Sequence, residues 1–573
     1  MSQMSQFEVE TIRGTQIKIA FFCQIDQFVI MSIYDQYLKF LSRRSPIMAR
    51  NGIVASSQPL ASEAGIQILK KGGNAADAAV ATAAALNVVE PMSTGIGGDC
   101  FCIFYDNKTK KVSGLNGSGR APKRLTIDLV RERGIKANNI LGGSPLAITV
   151  PGAAAGWVDT IENFGSLSIK EVLQPAIKLA KDGFPVSPLI SYAWMFGKVK
   201  LWTGPYGDEL TINGMEPKPG QIFKNPNLAR VFETLSEQGK TGYYKGWIAQ
   251  AIVDLMDEMN GVLSLEDLHR HKSTIVKPIS TNYRGIDVFE IPPNGQGITA
   301  LIALNILEGF DIGEMNIEAP IYYHTLIETM RLAFADTKWY VADPQFEDIP
   351  IKELLSKKYA TNRRKVINPA AASFDFKHGD PREQGDTVYF SVVDVDGNAC
   401  SFINSNYAAF GTGLIAKGTG FVLQNRGCNF YLDPNHPNAL KPGKRPYHTI
   451  IPGMALKNGE LYASFGVMGG FMQPQGHVQV LSKMIDHGFE PQTALNAPRF
   501  YLDGGDPKGV VKLENQVPKK VKSTLKGLGH KVEVVRGFER NVFGNGQIIK
   551  RNPRTGVLWA GSDPRCDGAA YGF

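Results

Sequence analysis

The sequence predicts an α+β protein whose sheets stack face to face with helices outside them, and three observations carry that prediction. The apolar spacing from about Ile169 to Asp336 is mainly helical, whereas the chain after residue 386 turns strand-rich. Both halves nonetheless contain strands, so neither reads as a separate all-α or all-β unit. At 573 residues the chain is also too long for one ordinary core, which asks for roughly three or four domains or one large layered assembly.

Residues 1–45 read as an appendage ending around Arg43-Arg44-Ser-Pro. Ile17 to Leu41 is fairly apolar, but Gln24, Asp26, Gln27, Asp35 and Gln36 interrupt it. A spanning helix wants about 20 mostly apolar residues, and a signal peptide wants a basic stretch before its apolar core. Neither pattern is clean, which favours a cytoplasmic protein without a clear membrane segment. Ser57-Gln-Pro-Leu then starts a helix, with Pro59 in its first turn, that runs to Lys71 and stops at Gly72-Gly73. Asn74 can cap the next helix, AADAAVATAAALNVV, whose alanines imply close helix packing. STGIGGDCFCIFYD reads as a glycine turn entering a strand, and KVSGLNGSGRAP as the returning strand and loop. The helical stretch follows, with capping-box character at Ser264-Leu-Glu-Asp and one interrupting strand at Ile286, IDVFEIPP. Residues 368–386, small and charged with no periodicity, read as an exposed loop. After it, GFVLQN, HTIIPGMAL, ELYASFGVMGG, KVEVVR and VLWAG read as strands.

Composition excludes some functions. The net charge of +8, from 62 basic and 54 acidic residues, is small and dispersed, with no basic stripe interleaved with aromatics. That argues against nucleic acid as a partner. Cys23, Cys100, Cys102, Cys400, Cys428 and Cys566 form no metal or disulfide framework, and the histidines lack metal-ligand spacing. No cofactor is expected. Phe410-Gly-Thr-Gly-Leu-Ile-Ala nearly fits GxGxxA, but a second turn and strand follow it where a dinucleotide site needs a helix.

The residue with most chemical promise is Thr387, in DTVYFSVVDVDGNA. Val388, Phe390 and Val392 alternate with Tyr389, Ser391 and Val393, so Thr387 stands at the start of a strand. Asp396-Gly397-Asn398 is the turn into a second strand, Ala399 to Ser405. A threonine there is ordinarily just a good β-former. Cleavage before it would free an α-amine with a pKa of about 7.7–8.0 beside its hydroxyl, and one residue would then hold both nucleophile and base. Gly469-Gly470 reads equally well as a tight turn or as two backbone N–H groups aimed at an oxyanion. Arg120, on a glycine-bounded loop, reads as a surface arginine or as a clamp for a substrate carboxylate.

Taken together, these motifs resemble the γ-glutamyltranspeptidase family of N-terminal-nucleophile hydrolases. The resemblance rests on DTVYFSVVDVDGNA followed by FGTG, NRG, PGKRPYHT and the Gly pair. In the other half it rests on GGNAADAAVATAAALNVVEPMSTGIGGDCFCIFYD, GSGRAP, PGAAAGW and PPNGQGITA. It spans residue 46 to the C-terminus. It implies a four-layer αββα sandwich formed by two chains after self-cleavage between Asp386 and Thr387. The large chain would take in 46–386 and the small one 387–573, with higher oligomers possible. It further implies that Thr387 attacks a γ-glutamyl amide such as glutathione, that Gly469 and Gly470 hold the oxyanion, and that Ser405 supports the nucleophile where a threonine is expected.

The acyl pocket implied by the same resemblance departs from typical members. Arg120 matches the arginine for the substrate α-carboxylate, but Asn429 replaces the aspartate expected for the α-ammonium. His448 and Thr449 replace two serines, Tyr407 an asparagine, and Arg426 a glutamine. An amide in place of a carboxylate loses a charge-assisted bond, roughly twice as strong as a neutral one. These changes resemble the branch grading into cephalosporin and glutaryl acylases, so a glutaryl amide is the alternative substrate. An uncleaved, inactive binding or structural relative is the second alternative.

Overall fold

A computed structural model of the chain describes residues 44–374 and 386–573, with the backbone alone at 386. The expected appendage up to residue 43, and the part of the loop before Thr387 from 375 to 385, lie outside the described residues.

Two seven-stranded antiparallel sheets form the middle of the molecule. The first runs Ala569–Gly572, Ile53–Ser56, Asp386–Val393, Ala399–Tyr407, Asp99–Asp106, Lys111–Gly117 and Thr274–Val276 in spatial order. The second runs Ile47–Ala49, Leu558–Ser562, Gly546–Arg551, Glu460–Val467, Gly453–Lys457, Ile286–Glu290 and Ile279–Tyr283. Both sheets combine strands from before and after residue 386.

The alternation around Thr387 shows how the layers stack. Val388, Phe390 and Val392 pack with the helices, while Tyr389 and Val393 pack against Met454, Leu456 and Ile549 of the second sheet. Ser391 meets Ser464 across the sheet interface at 2.5 Å. Gly466 makes room there, because a Cβ on it would lie 2.4 Å from the Tyr389 ring. Helices Pro59–Lys70, Ala75–Val89 and Ala153–Phe164 cover the outer face of the first sheet. Helices Gly297–Leu307, Pro320–Tyr340 and Met472–Ile485 cover that of the second. The result is a four-layer αββα sandwich. Burial on both faces of each sheet supplies the main driving force, at about 25 cal/mol per Å² of apolar surface.

The alanine-rich helix Ala75–Val89 is buried along its whole length. Asn74 and Asp77 form its capping box, and Asp77 also accepts from Ser166 and Leu167 backbone N–H groups. A Cβ on Gly65 would come within 2.4 Å of Thr82 Oγ1, so this helix pair needs small residues. Among the described residues no helix is long and apolar enough to cross a membrane.

Two expected strands differ. HTIIPGMAL is a strand only over Gly453–Lys457. Upstream, the His448 carbonyl accepts from Gln296 N, and Ile451 N donates to Gln473 Oε1, so that backbone serves the site rather than a ladder. Within GFVLQN only Val422 is bridged, to Ile415, across a turn that holds the positive-φ glycines 418 and 420. The sequence does not single out helices Ala153–Phe164, Gly297–Leu307 and Met472–Ile485, although the second lies in the stretch read as mainly helical. The second of these is buried all round and so carries no amphipathic stripe.

Candidate active site

Thr387 is fully buried at the start of its strand, opposite Ser405. Pairing shifts register between Asp386, which faces Tyr407, and Val388, which faces Asn404. The extra residue on the partner strand is a bulge, a device that re-aims side chains. It brings Ser405 Oγ within 3.1 Å of Thr387 Oγ1. Tyr407, at φ 75°, turns its N–H back onto Ser405 Oγ at 2.8 Å. Arg426 Nη2 donates to the same oxygen at 3.1 Å. Those two donors occupy the lone pairs of the Ser405 hydroxyl, which casts it as donor toward Thr387.

Arg426 organises one side of the site. Its Nη1 donates to Thr449 Oγ1 at 2.6 Å, and its guanidinium lies 4.4 Å from the centre of the Tyr407 ring. Burial lowers its pKa to about 10, with Asp99 opposing the shift, so it remains charged at neutral pH. Asp99 accepts from Gly119 N at 2.9 Å and Gly152 N at 3.2 Å, and meets His448 Nε2 at 3.1 Å. Burial raises Asp99 to about 6, against the opposing pull of Arg426 and of the two amides. Burial, then Arg426 and Arg445, push His448 well below its ordinary value. His448 is therefore neutral, and its contact with Asp99 is a hydrogen bond rather than an ion pair. Its Nδ1 accepts from Ile450 N at 3.4 Å, which leaves Nε2 as the donor to Asp99.

On the second sheet the strand Glu460–Val467 ends at Gly469 and Gly470, with φ of 122° and 56°. Both values favour glycine. The pair leads directly into helix Met472–Ile485, and the two glycine carbonyls accept from Met472 N and Gln473 N. Their own N–H groups donate to no other described residue and lie just before the helix N-cap, Phe471, at the positive end of the helix dipole. Gln473, in the first turn, reaches Thr387 Oγ1 with Nε2 at 3.5 Å. Gln296 Nε2 ties the two walls together, donating to the carbonyls of Thr449 at 2.5 Å and Gly470 at 2.9 Å.

The predicted residues thus divide. Thr387, Ser405, Arg426, Tyr407 and Thr449 form one connected cluster, and the Gly469-Gly470 turn adjoins it through Gln473 and Gln296. Asp386 pairs with Tyr407 through its backbone. Arg120 and Asn429 stand at the margin. Arg120 is partly exposed and bonds Gln345 Oε1 at 3.2 Å, while Asn429 Nδ2 donates to Tyr447 O at 3.2 Å. Neither of these hydrogen bonds involves Thr387. Asp99, Gln473, Gln296 and Arg445 were missed. The signals for them were weak: Asp99 follows two glycines at a strand start, and Gln473 follows the Gly pair by three positions.

Among the described residues, His324, Glu328 and His530 are close enough to suggest a metal. The imidazoles are already paired, His324 Nδ1 with His530 Nε2 at 2.8 Å, and Arg331 Nε lies 3.3 Å from Glu328. A guanidinium in that space disfavours a cation. The cluster instead holds the arm leading toward residue 375, through the Asn368 carbonyl and Ser373 N.

The gamma-glutamyltranspeptidase family model matches residues 61–573. A "glutathione hydrolase-like YwrD proenzyme" of Bacillus subtilis (strain 168) is 39% identical, over 92% of this chain and 99% of that one. An "acylase ACY 1 proenzyme" of Pseudomonas sp. (strain V22) is 33% identical over 92% and 95%. Among solved structures, a cephalosporin acylase from Bacillus halodurans superposes with a TM-score of 0.87 at 44% identity, covering 93% of this chain and 97% of its own.

Proposed function

Because the chain belongs to the γ-glutamyltranspeptidase family of N-terminal-nucleophile hydrolases, we propose that it is a self-processing threonine amidohydrolase and acyltransferase acting on γ-glutamyl amides such as glutathione. The 3.1 Å contact between Thr387 and the arginine-held Ser405 hydroxyl carries this reading. Processing begins with attack of Thr387 Oγ1 on the Asp386 carbonyl. The peptide bond gives way to an ester, and water then releases a large chain ending at Asp386 and a small one beginning at Thr387. The freed α-amine takes the proton from the Thr387 hydroxyl as it attacks the substrate amide. The N–H groups of Gly469 and Gly470 receive the developing oxyanion. The amine leaves, and water or a second amine resolves the acyl-enzyme. Gln473 and Ser405 steady the nucleophile oxygen in each round.

The acyl side is rich in guanidinium groups. Arg445 is buried, and burial together with Arg120 lowers its pKa to about 9. A carboxylate-ended acyl group suits that surrounding. A glutaryl-type acylase is the second reading, and Asn429 favours it, because an amide offers the substrate ammonium no charge. Asp99 does not replace the missing charge, since His448 and two backbone amides already hold it. Intact mass with N-terminal sequencing tests the common part: a small chain must begin TVYFSVVD. Turnover of γ-glutamyl against glutaryl p-nitroanilide separates the substrates. Much faster cleavage of the γ-glutamyl compound would remove the Asn429 argument, and a single full-length, inactive chain would remove the enzyme reading altogether.

A further inference from the structure

A cavity of about 490 Å³ lies at the same end of the sandwich as Thr387 and takes Gly469 into its wall. It is set on the other flank of the nucleophile strand from the arginines. In the first sheet the strands Ile53–Ser56 and Ala569–Gly572 lie on one side of Asp386–Val393, and Ala399–Tyr407 and Asp99–Asp106 on the other. Arg426 and Asp99 belong to the latter side. Gln58 and Asp567, just beyond the ends of the former strands, line the cavity. Its inner wall includes Met92 and Ser93, whose carbonyls accept from Phe410 N at 2.8 Å and Asn406 N at 3.2 Å. The wall is thus one residue removed from Ser405.

The chemistry of this cavity is the inverse of the arginine flank. Glu90, Glu533, Glu539 and Asp567 line it against one lysine, Lys512, which is 3.1 Å from Asp503. Tyr192 supplies an aromatic wall, with the Phe196 and Phe538 rings each centred 4.8 Å from its own. Asn545 is 5% exposed and lines the cavity, and its Oδ1 has no hydrogen-bond partner among the described residues. Its Nδ2 is spent on Asn541 Oδ1 at 3.0 Å. A buried acceptor left unpaired costs about 1–3 kcal/mol, so the site is short of one N–H donor. Carboxylates, aromatic faces and a waiting acceptor together select an amine with a flat apolar body.

We propose that this cavity binds the amine half of the reaction, both the departing amine of the donor amide and the incoming amine in transfer. It prefers aromatic amines without a carboxylate. The inference rests on the amide-transfer reading above. In transfer, the amine nitrogen forms the new C–N bond to the acyl carbon as the bond from that carbon to Thr387 Oγ1 breaks, and one amine proton ends on the threonine oxygen. The nucleophile then stands between a cationic flank for the acyl carboxylate and an anionic flank for the amine.

The test measures the ratio of transfer to hydrolysis product, with whichever anilide is turned over, as phenethylamine or glycine is added. Phenethylamine should capture half of the acyl groups at a concentration about tenfold below that of glycine. Phe538→Ser and Asn545→Leu should each raise that concentration about tenfold and raise the KM of the anilide, whose departing amine uses the same cavity, while water resolves the acyl-enzyme at the native rate. Equal capture by the two amines, or variants that slow capture by amine and resolution by water alike, would overturn the proposal. Calorimetric titration of the purified protein with phenethylamine keeps the two levels of inference apart. Binding that is lost in Phe538→Ser, in a protein that forms no acyl-enzyme, would uphold the subsite and sink the amide-transfer reading. No binding to the wild type would sink the subsite.

Discussion

Replacing Ser405 by alanine removes one oxygen on which three groups converge. Arg426 Nη2 loses an acceptor at 3.1 Å and Tyr407 N loses one at 2.8 Å, both in a fully buried site. A hydrogen bond to a charged group contributes about 1.5–3 kcal/mol, and a buried N–H left unpaired costs about 1–3 kcal/mol. Removing the hydroxyl itself spares about 1–2 kcal/mol of desolvation. The net expectation is a destabilisation of about 3 kcal/mol. It is read from urea unfolding in a Thr387→Ala background, where both proteins remain single chains and the comparison is not confused by cleavage. In the otherwise native chain the loss of the donor to Thr387 should slow self-cleavage by about 10- to 100-fold, followed by intact mass. Ser405→Thr keeps the oxygen and should cut at a rate close to native, with about 1 kcal/mol lost to the extra methyl group. An alanine variant that unfolds within about 0.5 kcal/mol of its parent and cuts at the native rate would refute the assignment of Ser405 as hub of the site.

Three further outcomes follow from the same geometry. Thr387→Ala should stay as one band on denaturing electrophoresis, whereas Cys400→Ala, altered away from the nucleophile, should yield both chains. Asp99 should give activity an acid limb near pH 6, where it gains a proton and Arg426 loses its counter-charge. Because its folded pKa lies above the unfolded one, its stabilising contribution is present at low pH and lost as pH rises through about 6. Asp99→Asn should therefore become the more stable partner as pH increases, and a constant difference from pH 4 to 8 would contradict the burial argument. Gly469→Ala places a side chain at φ 122° with its Cβ 3.2 Å from Gly544 Cα. It should lower kcat by about 100-fold with little change in KM; a normal kcat would exclude this turn from the oxyanion site.

What could be read in advance was governed by how local the signal is. Thr387, its alternating strand and the Asp396-Gly397-Asn398 turn lie within fourteen residues, and the alternation of side chains between the helices and the second sheet expresses itself there directly. Asn74 was equally legible, because a cap acts over three positions. The site beyond Thr387 was legible only through resemblance, since its parts converge from distant segments. Asp99 and His448 are 349 positions apart, and nothing in either neighbourhood announces the other. Arg426 looked like a marginal substitution in the acyl pocket, yet it bonds both Ser405 and Thr449. Buried segments failed in the opposite way. Gly297–Leu307 is covered on every side, so its apolar run has no period to reveal a helix.

The threading of the first sheet bears on what the proposed cut before Thr387 would do. The nucleophile strand sits between Ile53–Ser56 and Ala399–Tyr407, and Ala569–Gly572 closes the far edge on Ile53–Ser56. The carbonyl of Phe573, the last residue, accepts from Arg50 and Asn51 N–H groups at 3.1 and 2.7 Å. Two chains braided in this way cannot part without dissolving both sheets. Once unfolded, however, they would have to find each other again by diffusion, and would do so without the tether that first set their register. Cleavage would therefore make folding a step that is taken once. The mature molecule would persist by the slowness of its unfolding, and its recovery from denaturant would depend on concentration where that of the Thr387→Ala chain would not.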